Sequence, residues 1–181
     1  AAPNTYYEYR VTRNGTNVGY GYCASAINLA PIDYRGKIIL VVDNTMTTPL
    51  ANEINILKND LKADGWQVLQ INASRTDFPV NIKNQIVALY NADPANVKAV
   101  YILGHIPVYR SGNIAPDGHE LRPFATDLYY GDMGSSTWLN PNPTTIPSSI
   151  ELEVGRVDMF NMPSFPLSET ELLRRYLNKA H

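Results

Sequence analysis

The strongest constraint on the fold is the alternation of short apolar runs with helical patterns. The runs are KIILVV (37–42), WQVLQI (66–71) and VKAVYIL (97–103). Apolar residues recur at helical spacing between the first two runs (Leu50, Ile54, Leu57, Leu61) and between the last two (Ile82, Ile86, Leu89). Strand-length apolar runs separated by helices predict parallel strands joined by crossover helices. We therefore expect an α/β fold with a mostly parallel, four-stranded sheet flanked by helices.

Local signals place the boundaries of the two crossover helices. We expect the first helix over residues 49–63, with Thr48 as its N-cap, a proline at its first position and Gly65 beyond its end. The second helix is predicted over about residues 80–91.

The end of the chain predicts a fourth strand and a final helix. The segment IELEVGRVDM (150–159) is typical of a strand, and we expect it to turn at Gly155. Ser168 is a candidate N-cap for the last helix, with Glu171 as its capping-box partner. Between the third and fourth strands, about 45 residues rich in proline, glycine and aromatics predict a long ordered loop or a small subdomain.

The first residues predict a β-hairpin. The segment 5–26 alternates in strand fashion around Asn14-Gly15, the strongest short-range hairpin signal. Alternation predicts one apolar face, with Glu8, Arg10, Thr12 and Cys23 on the opposite face. The residues of the apolar face are our assembly candidates: Tyr7, Tyr9, Val11, Val18, Tyr20 and Tyr22. We thus expect an N-terminal arm and hairpin over residues 1–30 and an α/β domain over residues 31–181.

Composition excludes several classes of partner. A net charge of −2 and a pI near 5.9 lack the clustered basic surplus that nucleic acid requires, so no nucleic-acid partner is predicted. No apolar run approaches the roughly 20 residues of a membrane helix, so no membrane span is predicted. Cys23 is the single cysteine, which excludes an intrachain disulfide and a multi-cysteine zinc site. No cofactor is predicted.

The expected location is extracellular or at the cell surface. The chain begins Ala1-Ala2-Pro3, as a chain does after removal of a signal peptide. Two sequons, at Asn14 and Asn72, fall on predicted turns and are candidates for glycosylation. The sequence therefore favours a secreted protein that could carry glycans.

Polar residues that follow the predicted strands are the candidates for a ligand crevice, because open α/β sheets bind ligands at the carboxyl ends of their strands. These candidates are Asp43, His105, Asp117, His119, Asp127, Asp132 and Arg156. No HExxH motif or calcium loop accompanies them, so no metal site is predicted, and turn capping is the alternative role. Arg156 is expected either to clamp an anion or to pair with an aspartate of the long loop.

Catalytic residues are not predicted from these motifs. No GxSxG elbow is present, and the single thiol, Cys23, belongs to the hairpin. Nucleophilic catalysis needs a nucleophile, a base and an orienting group, and no such set is evident in the sequence.

Four segments together resemble the gingipain-type cysteine peptidases, which have a caspase-like α/β fold. The segments are VYILGHIPV, FATDLYYGDM, IELEVGRVDM and SETELLRRYL. The resemblance covers about residues 36–181, and the matching positions are Gly104, His105, Pro107, Asp127, Tyr129, Tyr130, Gly155 and Arg156. The family has aspartate where His105 stands, and its catalytic histidine and cysteine lie on strands beyond those present here. The resemblance therefore implies the first half of the fold without its catalytic residues.

Residues 5–27 also resemble the last two strands of a fibronectin type III domain. The sequence favours a secreted, non-catalytic structural module that self-associates through its N-terminal hairpin or arm, and a filament is one expected form. Copies of itself are then its expected partners. The alternative is that the chain is the N-terminal portion of a gingipain-like peptidase whose catalytic residues lie beyond it.

Overall fold

The computed structural model describes residues 2–3, 5–27, 33–115, 118–134, 138 and 149–181. The chain divides into two compact units, residues 1–34 and residues 35–181. The smaller unit contains a β-hairpin, and the larger unit contains the α/β sheet.

The hairpin consists of strands β1 (Tyr6–Arg13) and β2 (Gly19–Ala26), paired antiparallel. The pairing runs from Tyr6 opposite Ala26 to Arg13 opposite Gly19, so residues 14–18 form the connection. Asn14-Gly15 therefore lies inside a five-residue connection.

The register places the two sets of apolar side chains on opposite faces of the hairpin. Tyr9 lies opposite Cys23, and Arg10 lies opposite Tyr22. Since residues directly opposite each other share a face, Tyr9 lies on the same face as Cys23 and on the other face from Tyr22. The expectation of one apolar face opposite Cys23 is therefore wrong.

Turn length explains this difference. A connection through Asn14-Gly15 alone would pair Arg13 with Thr16, whereas the structure pairs Arg13 with Gly19, three residues further along. Because side chains alternate with a period of two, an odd shift in register exchanges the faces of the second strand.

The body alternates strands and helices along the chain. In chain order its elements are β3 (Gly36–Asp43), α1 (Ala51–Ala63), β4 (Trp66–Ala73), α2 (Pro79–Ala92), β5 (Val97–Leu103), β6 (Tyr109–Ile114), β7 (Arg122–Thr126), α3 (Leu128–Gly131), β8 (Glu153–Val157) and α4 (Glu169–Ala180). Four of the strands form a parallel sheet in the order β4-β3-β5-β8. The predicted α/β fold and four-stranded parallel sheet are confirmed.

Alternate residues of the central strand β3 pack into different halves of the core. Ile39 and Val41 pack with α2 residues such as Ile82 on one face of the sheet. Leu40 and Val42 pack with residues of α1 and α4 on the other face, among them Ile54 and Leu173. Burial of each such side chain contributes about 1.5–3 kcal/mol. The sheet is therefore covered on both faces by apolar side chains, and polar side chains can gather only at its edges.

Helix boundaries follow burial as well as capping. The N-cap position of α1 is Leu50, which makes no side-chain cap, so the prediction of Thr48 is wrong. Leu50 is fully buried, and its packing places the start of the helix beyond Thr48. Ser168 does cap α4, because its side chain accepts a hydrogen bond of 3.2 Å from the amide of Glu171. Glu171 pairs with Arg174 and Arg175 instead of completing a capping box.

The segment between β5 and β8 contains more regular structure than predicted. It includes the antiparallel pair β6-β7 and the short helix α3, where the sequence predicts a long ordered loop or a small subdomain. Gly155 lies within β8 opposite Tyr101, so the predicted turn there is wrong. Among the described residues, no helix is long and apolar enough to cross a membrane.

Candidate functional site at the carboxyl edge of the sheet

Three strands of the parallel sheet deliver polar side chains to the same edge. Asp43 is the last residue of β3, His105 follows β5 closely, and Asp158 comes directly after β8. Because the strands are parallel, their carboxyl ends meet at one edge, where α/β proteins bind ligands. This edge is the candidate site.

Asp43 is the buried anchor of the site. Its side chain is fully inaccessible to solvent. One carboxylate oxygen accepts hydrogen bonds from the amide and the hydroxyl of Thr45, at 2.9 and 2.8 Å. The other accepts from Arg75 Nε at 3.0 Å and from the amide of His105 at 3.2 Å. Both oxygens are thus engaged, which satisfies the buried charge.

Arg75 joins this anchor to the last helix. Its guanidinium also donates to both carboxylate oxygens of Glu169 in α4, each at 3.2 Å. Burial opposes the charge on Arg75, but the hydrogen bonds to Asp43 and Glu169 raise its pKa above the ordinary value. The guanidinium is therefore charged and already held by two carboxylates.

His105 is oriented by a carboxylate and by an aromatic ring. Its Nδ1 lies 2.8 Å from a carboxylate oxygen of Asp158, and its ring stacks on Phe160 with centroids 3.9 Å apart. The amide of Phe160 donates to the other carboxylate oxygen of Asp158 at 2.8 Å. No hydrogen bond from the described part of the chain engages Nε2 of His105. This is the arrangement of an oriented histidine with one nitrogen available for proton transfer.

Arg156 forms the ion pair that was one of its two expected roles. It holds Asp127 through two hydrogen bonds, from Nε at 2.8 Å and from Nη2 at 2.7 Å. Its Nη1 donates to the carbonyl of Ile106 at 2.6 Å and lies 3.8 Å from the Asp158 carboxylate. Arg156 therefore ties the α3 region to the connection after β5.

These groups form one bonded set, which we call the carboxyl-edge cluster. It contains four carboxylates, two guanidinium groups and one histidine: Asp43, Asp127, Asp158, Glu169, Arg75, Arg156 and His105. With His105 neutral, four negative and two positive charges give a net charge of −2. An anionic ligand is disfavoured here because both guanidinium groups are occupied and the remaining charge is negative.

Exposed apolar side chains lie in the connections that leave the same edge of the sheet, and one of them, Phe160, contacts His105 and Arg75 of the cluster. Phe78 follows β4, Val108 follows β5, and three more residues follow β8 before α4 begins. We call this set the apolar rim: Phe78, Val108, Phe160, Met162 and Phe165, each exposed. Phe78 is the most exposed of them, at 73%. The candidate site thus combines a negatively charged cluster with exposed apolar side chains at the same edge of the sheet, three of which are phenylalanines.

The other predicted crevice residues lie apart from the cluster or outside the described residues. Asp132 is buried, and its carboxylate accepts hydrogen bonds from the amide of Gly134, at 2.9 Å, and from the Trp138 indole. No hydrogen bond in the described segments joins Asp132 to the cluster. His119 is exposed in the connection between β6 and β7. Asp117 lies outside the described residues. Among the described residues, no group of three or more metal-ligating side chains is arranged to hold an ion.

The assembly and glycosylation candidates lie on exposed surface. Tyr9, Val11, Val18, Tyr20 and Tyr22 are exposed, and Tyr7 is half-buried beside Tyr9, with ring centroids 6.4 Å apart. Asn14 is exposed in the hairpin connection. Asn72 is also exposed but lies within β4, so the predicted turn at this sequon is wrong.

Sequence reasoning missed three members of the cluster, Arg75, Asp158 and Glu169, and all of the apolar rim. Arg75 and Asp158 follow strands, and the rule that selected Asp43 and His105 applies equally to them. Phe160 follows β8 by three residues and carried no polar signal. Glu169 comes from the first turn of α4, and only the packing of that helix shows that it reaches Arg75.

No family model, no curated protein and no solved structure matches the chain. The resemblance to gingipain-type peptidases stays a prediction from the sequence motifs, as does the likeness of the hairpin to a fibronectin type III domain.

Proposed function

We propose that this protein is a non-catalytic structural subunit that associates with copies of itself through its N-terminal hairpin. The observation that carries this proposal is the exposure of the hairpin, in which 14 of the 16 strand residues are exposed. The exposed residues include large apolar ones, since Val11 is 63% and Tyr22 is 64% exposed.

A hairpin of this kind gains stability from a partner. An isolated two-stranded hairpin is marginally stable in water, and each exposed tyrosine offers a large area for burial. In the part of the chain that the structure describes, β1 and β2 pair only with each other and have no further strand partner. Unpaired strand edges favour pairing with another chain.

A second copy of the chain is a partner of matching sequence for this hairpin. β1 and β2 already pair over eight residues, so the same sequences are complementary between chains. If the association is head-to-tail and does not close into a ring, it produces a filament.

Sedimentation velocity and electron microscopy of the full chain test the proposal. We expect oligomers that grow with concentration, and a Val11→Lys, Tyr22→Lys double variant that is monomeric and folded. A Thr16→Lys variant adds a charge to the exposed connection and should assemble like the parent chain. A parent chain that is monomeric at every concentration would refute self-association.

The His105–Asp158 pair supports a second candidate function, which is hydrolysis of a neutral ester or amide. Asp158 orients the ring, and Nε2 of His105 would accept the proton of an attacking water. A matched control exists, because His181 Nδ1 lies 3.0 Å from Asp60 in a second, exposed pair.

The test of this second candidate compares two variants in hydrolysis of an activated neutral ester. His105→Gln should lower the rate at least about a hundredfold, the lower end of what a positioned general base contributes, whereas His181→Gln should leave it unchanged. Equal rates for the two variants would exclude the role for His105.

A further inference from the structure

We propose that the hairpin of one copy docks on the apolar rim and carboxyl-edge cluster of a second copy, so that the copies join head-to-tail. This inference rests on the proposed self-association and names its acceptor surface.

The acceptor is an apolar surface of the α/β body that the described residues of 35–181 leave exposed. Phe78, Phe160 and Phe165 are 73%, 46% and 49% exposed, although each carries a ring that gains from burial. All members of the rim belong to connections that follow the carboxyl ends of the sheet strands. Several exposed apolar side chains on one edge of a fold are typical of an interaction surface.

The donor is one particular face of the hairpin. Tyr7, Tyr9, Val11 and Arg13 alternate along β1 and therefore share a face, which we call the cationic face. The opposite face carries both Glu8 and Arg10, so its charges cancel. Arg13 is the single charged residue on the cationic face, because the β2 residues that lie opposite this stripe are Gly19, Gly21, Cys23 and Ser25.

The shape of the cationic face suits protruding rings. Gly21 lies opposite Val11, and Gly19 lies opposite Arg13. A Cβ atom placed on either glycine would meet nothing within 4 Å. The two glycines therefore leave a shallow trough beside the β1 stripe, in which an exposed phenylalanine ring of a second copy can be buried.

Charge complementarity favours the same pairing. The hairpin, residues 5–27, contains Glu8, Arg10 and Arg13, a net charge of +1. The carboxyl-edge cluster carries a net charge of −2 with His105 neutral. Opposite charges steer two copies into the orientation that places Arg13 near the cluster. Donor and acceptor belong to different units of the chain, so a copy that donates through its hairpin can also accept on its α/β body.

Two single variants and their controls test the inference by sedimentation velocity. Arg13→Glu should abolish assembly, whereas Arg10→Glu makes the same charge change on the opposite face and should have a smaller effect. Phe78→Glu should abolish assembly from the acceptor side. Ala95→Glu adds the same carboxylate at an exposed position before β5, at the opposite edge of the sheet, and should assemble normally.

Mixing the two defective variants gives the sharpest result. Arg13→Glu copies retain an intact acceptor, and Phe78→Glu copies retain an intact donor. Head-to-tail docking therefore predicts that an equimolar mixture forms one-to-one heterodimers that do not polymerise, while each variant alone is monomeric.

The outcomes separate this inference from the proposed function. If Phe78→Glu assembles like the parent chain while the Val11→Lys, Tyr22→Lys variant is monomeric, the hairpin mediates assembly and the acceptor proposed here is wrong. A mixture that remains monomeric also overturns the head-to-tail arrangement. A parent chain that never assembles overturns both proposals.

Discussion

Gly104 holds the buried Asp43 in place because it has no side chain. Its φ of +94° lies in the left-handed region, and a Cβ atom there would lie 2.6 Å from the Cβ of Asp43. Any substitution would therefore strain the backbone and displace the carboxylate that holds Arg75 and the His105 amide.

We expect Gly104→Ala to lower the free energy of unfolding by about 1–3 kcal/mol, the usual cost of an unfavourable backbone conformation. Urea denaturation followed by circular dichroism measures this loss. Gly155→Ala is the control, since a Cβ at Gly155 meets nothing within 4 Å, and it should change stability by less than about 0.5 kcal/mol. Equal losses in both variants would contradict the role given to Gly104.

Lys83 links α2 to α3 and should make stability depend on alkaline pH. Its ammonium group donates to the carbonyls of Tyr129, at 2.6 Å, and Asp132. Burial lowers the pKa of Lys83 from 10.5 to about 8, although Asp132 and Glu151 act in the opposite direction. Between about pH 8 and 10 the unfolded chain therefore binds more protons at this site than the folded chain.

It follows that this lysine contributes a rise in the free energy of unfolding as pH increases from about 8 to 10. Lys83→Met should remove that contribution, which urea denaturation at several pH values across the window would show as a smaller slope than in the parent chain. Identical slopes in the two proteins would mean that Lys83 titrates normally in the folded state.

At the scale of single elements, Ser168 and Thr48 provide a matched test of helix capping. Ser168 caps α4 through the amide of Glu171, whereas Thr48 lies two residues before the N-cap position of α1. Ser168→Ala should cost about 1 kcal/mol of stability, and Thr48→Ala should be neutral within about 0.5 kcal/mol. Thermal unfolding of the two variants distinguishes them, and a larger loss at Thr48 would contradict the observed start of α1.

The elements that could be predicted from sequence are those specified by local pattern. KIILVV and VKAVYIL are strand-length, largely apolar segments rich in β-branched residues, which are typical of buried strands, and β5 has the predicted bounds. The start of α1 was missed because the burial of Leu50 outweighs the capping preference of Thr48. The hairpin was found, but its register depends on the length of the connection, which a strong Asn-Gly signal does not determine.

The candidate site likewise contains residues that local sequence pattern predicts and residues that only tertiary structure brings in. Asp43 and His105 could be placed at the sheet edge because each follows an apolar run. The partners could not be assigned, since Asp158 reaches His105 only once β8 has packed in the sheet, and Glu169 reaches Arg75 only once α4 has packed on it. Local pattern thus predicts where the edge lies, whereas the bonds across it depend on tertiary structure.

At the scale of the whole molecule, the proposed docking has an electrostatic signature. Surface charges are screened within about 10 Å at 0.1 M salt, whereas burial of aromatic area is not weakened by salt. Self-association of the parent chain should therefore weaken as sodium chloride is added, and Arg13→Ala should reduce this salt dependence. Equilibrium sedimentation over a salt series measures both effects. Association that strengthens monotonically with salt would indicate a purely apolar contact.

The five-residue connection of the hairpin has a consequence for how filaments would meet one another. Because it sends the two sets of apolar residues to opposite faces, docking of the cationic face leaves Tyr20 and Tyr22 exposed on the outside of the assembly. A hairpin with a connection one residue shorter would instead turn those rings toward the docked side. In the proposed filament, the length of this turn would therefore decide between slender, separate fibres and fibres that adhere sideways into bundles.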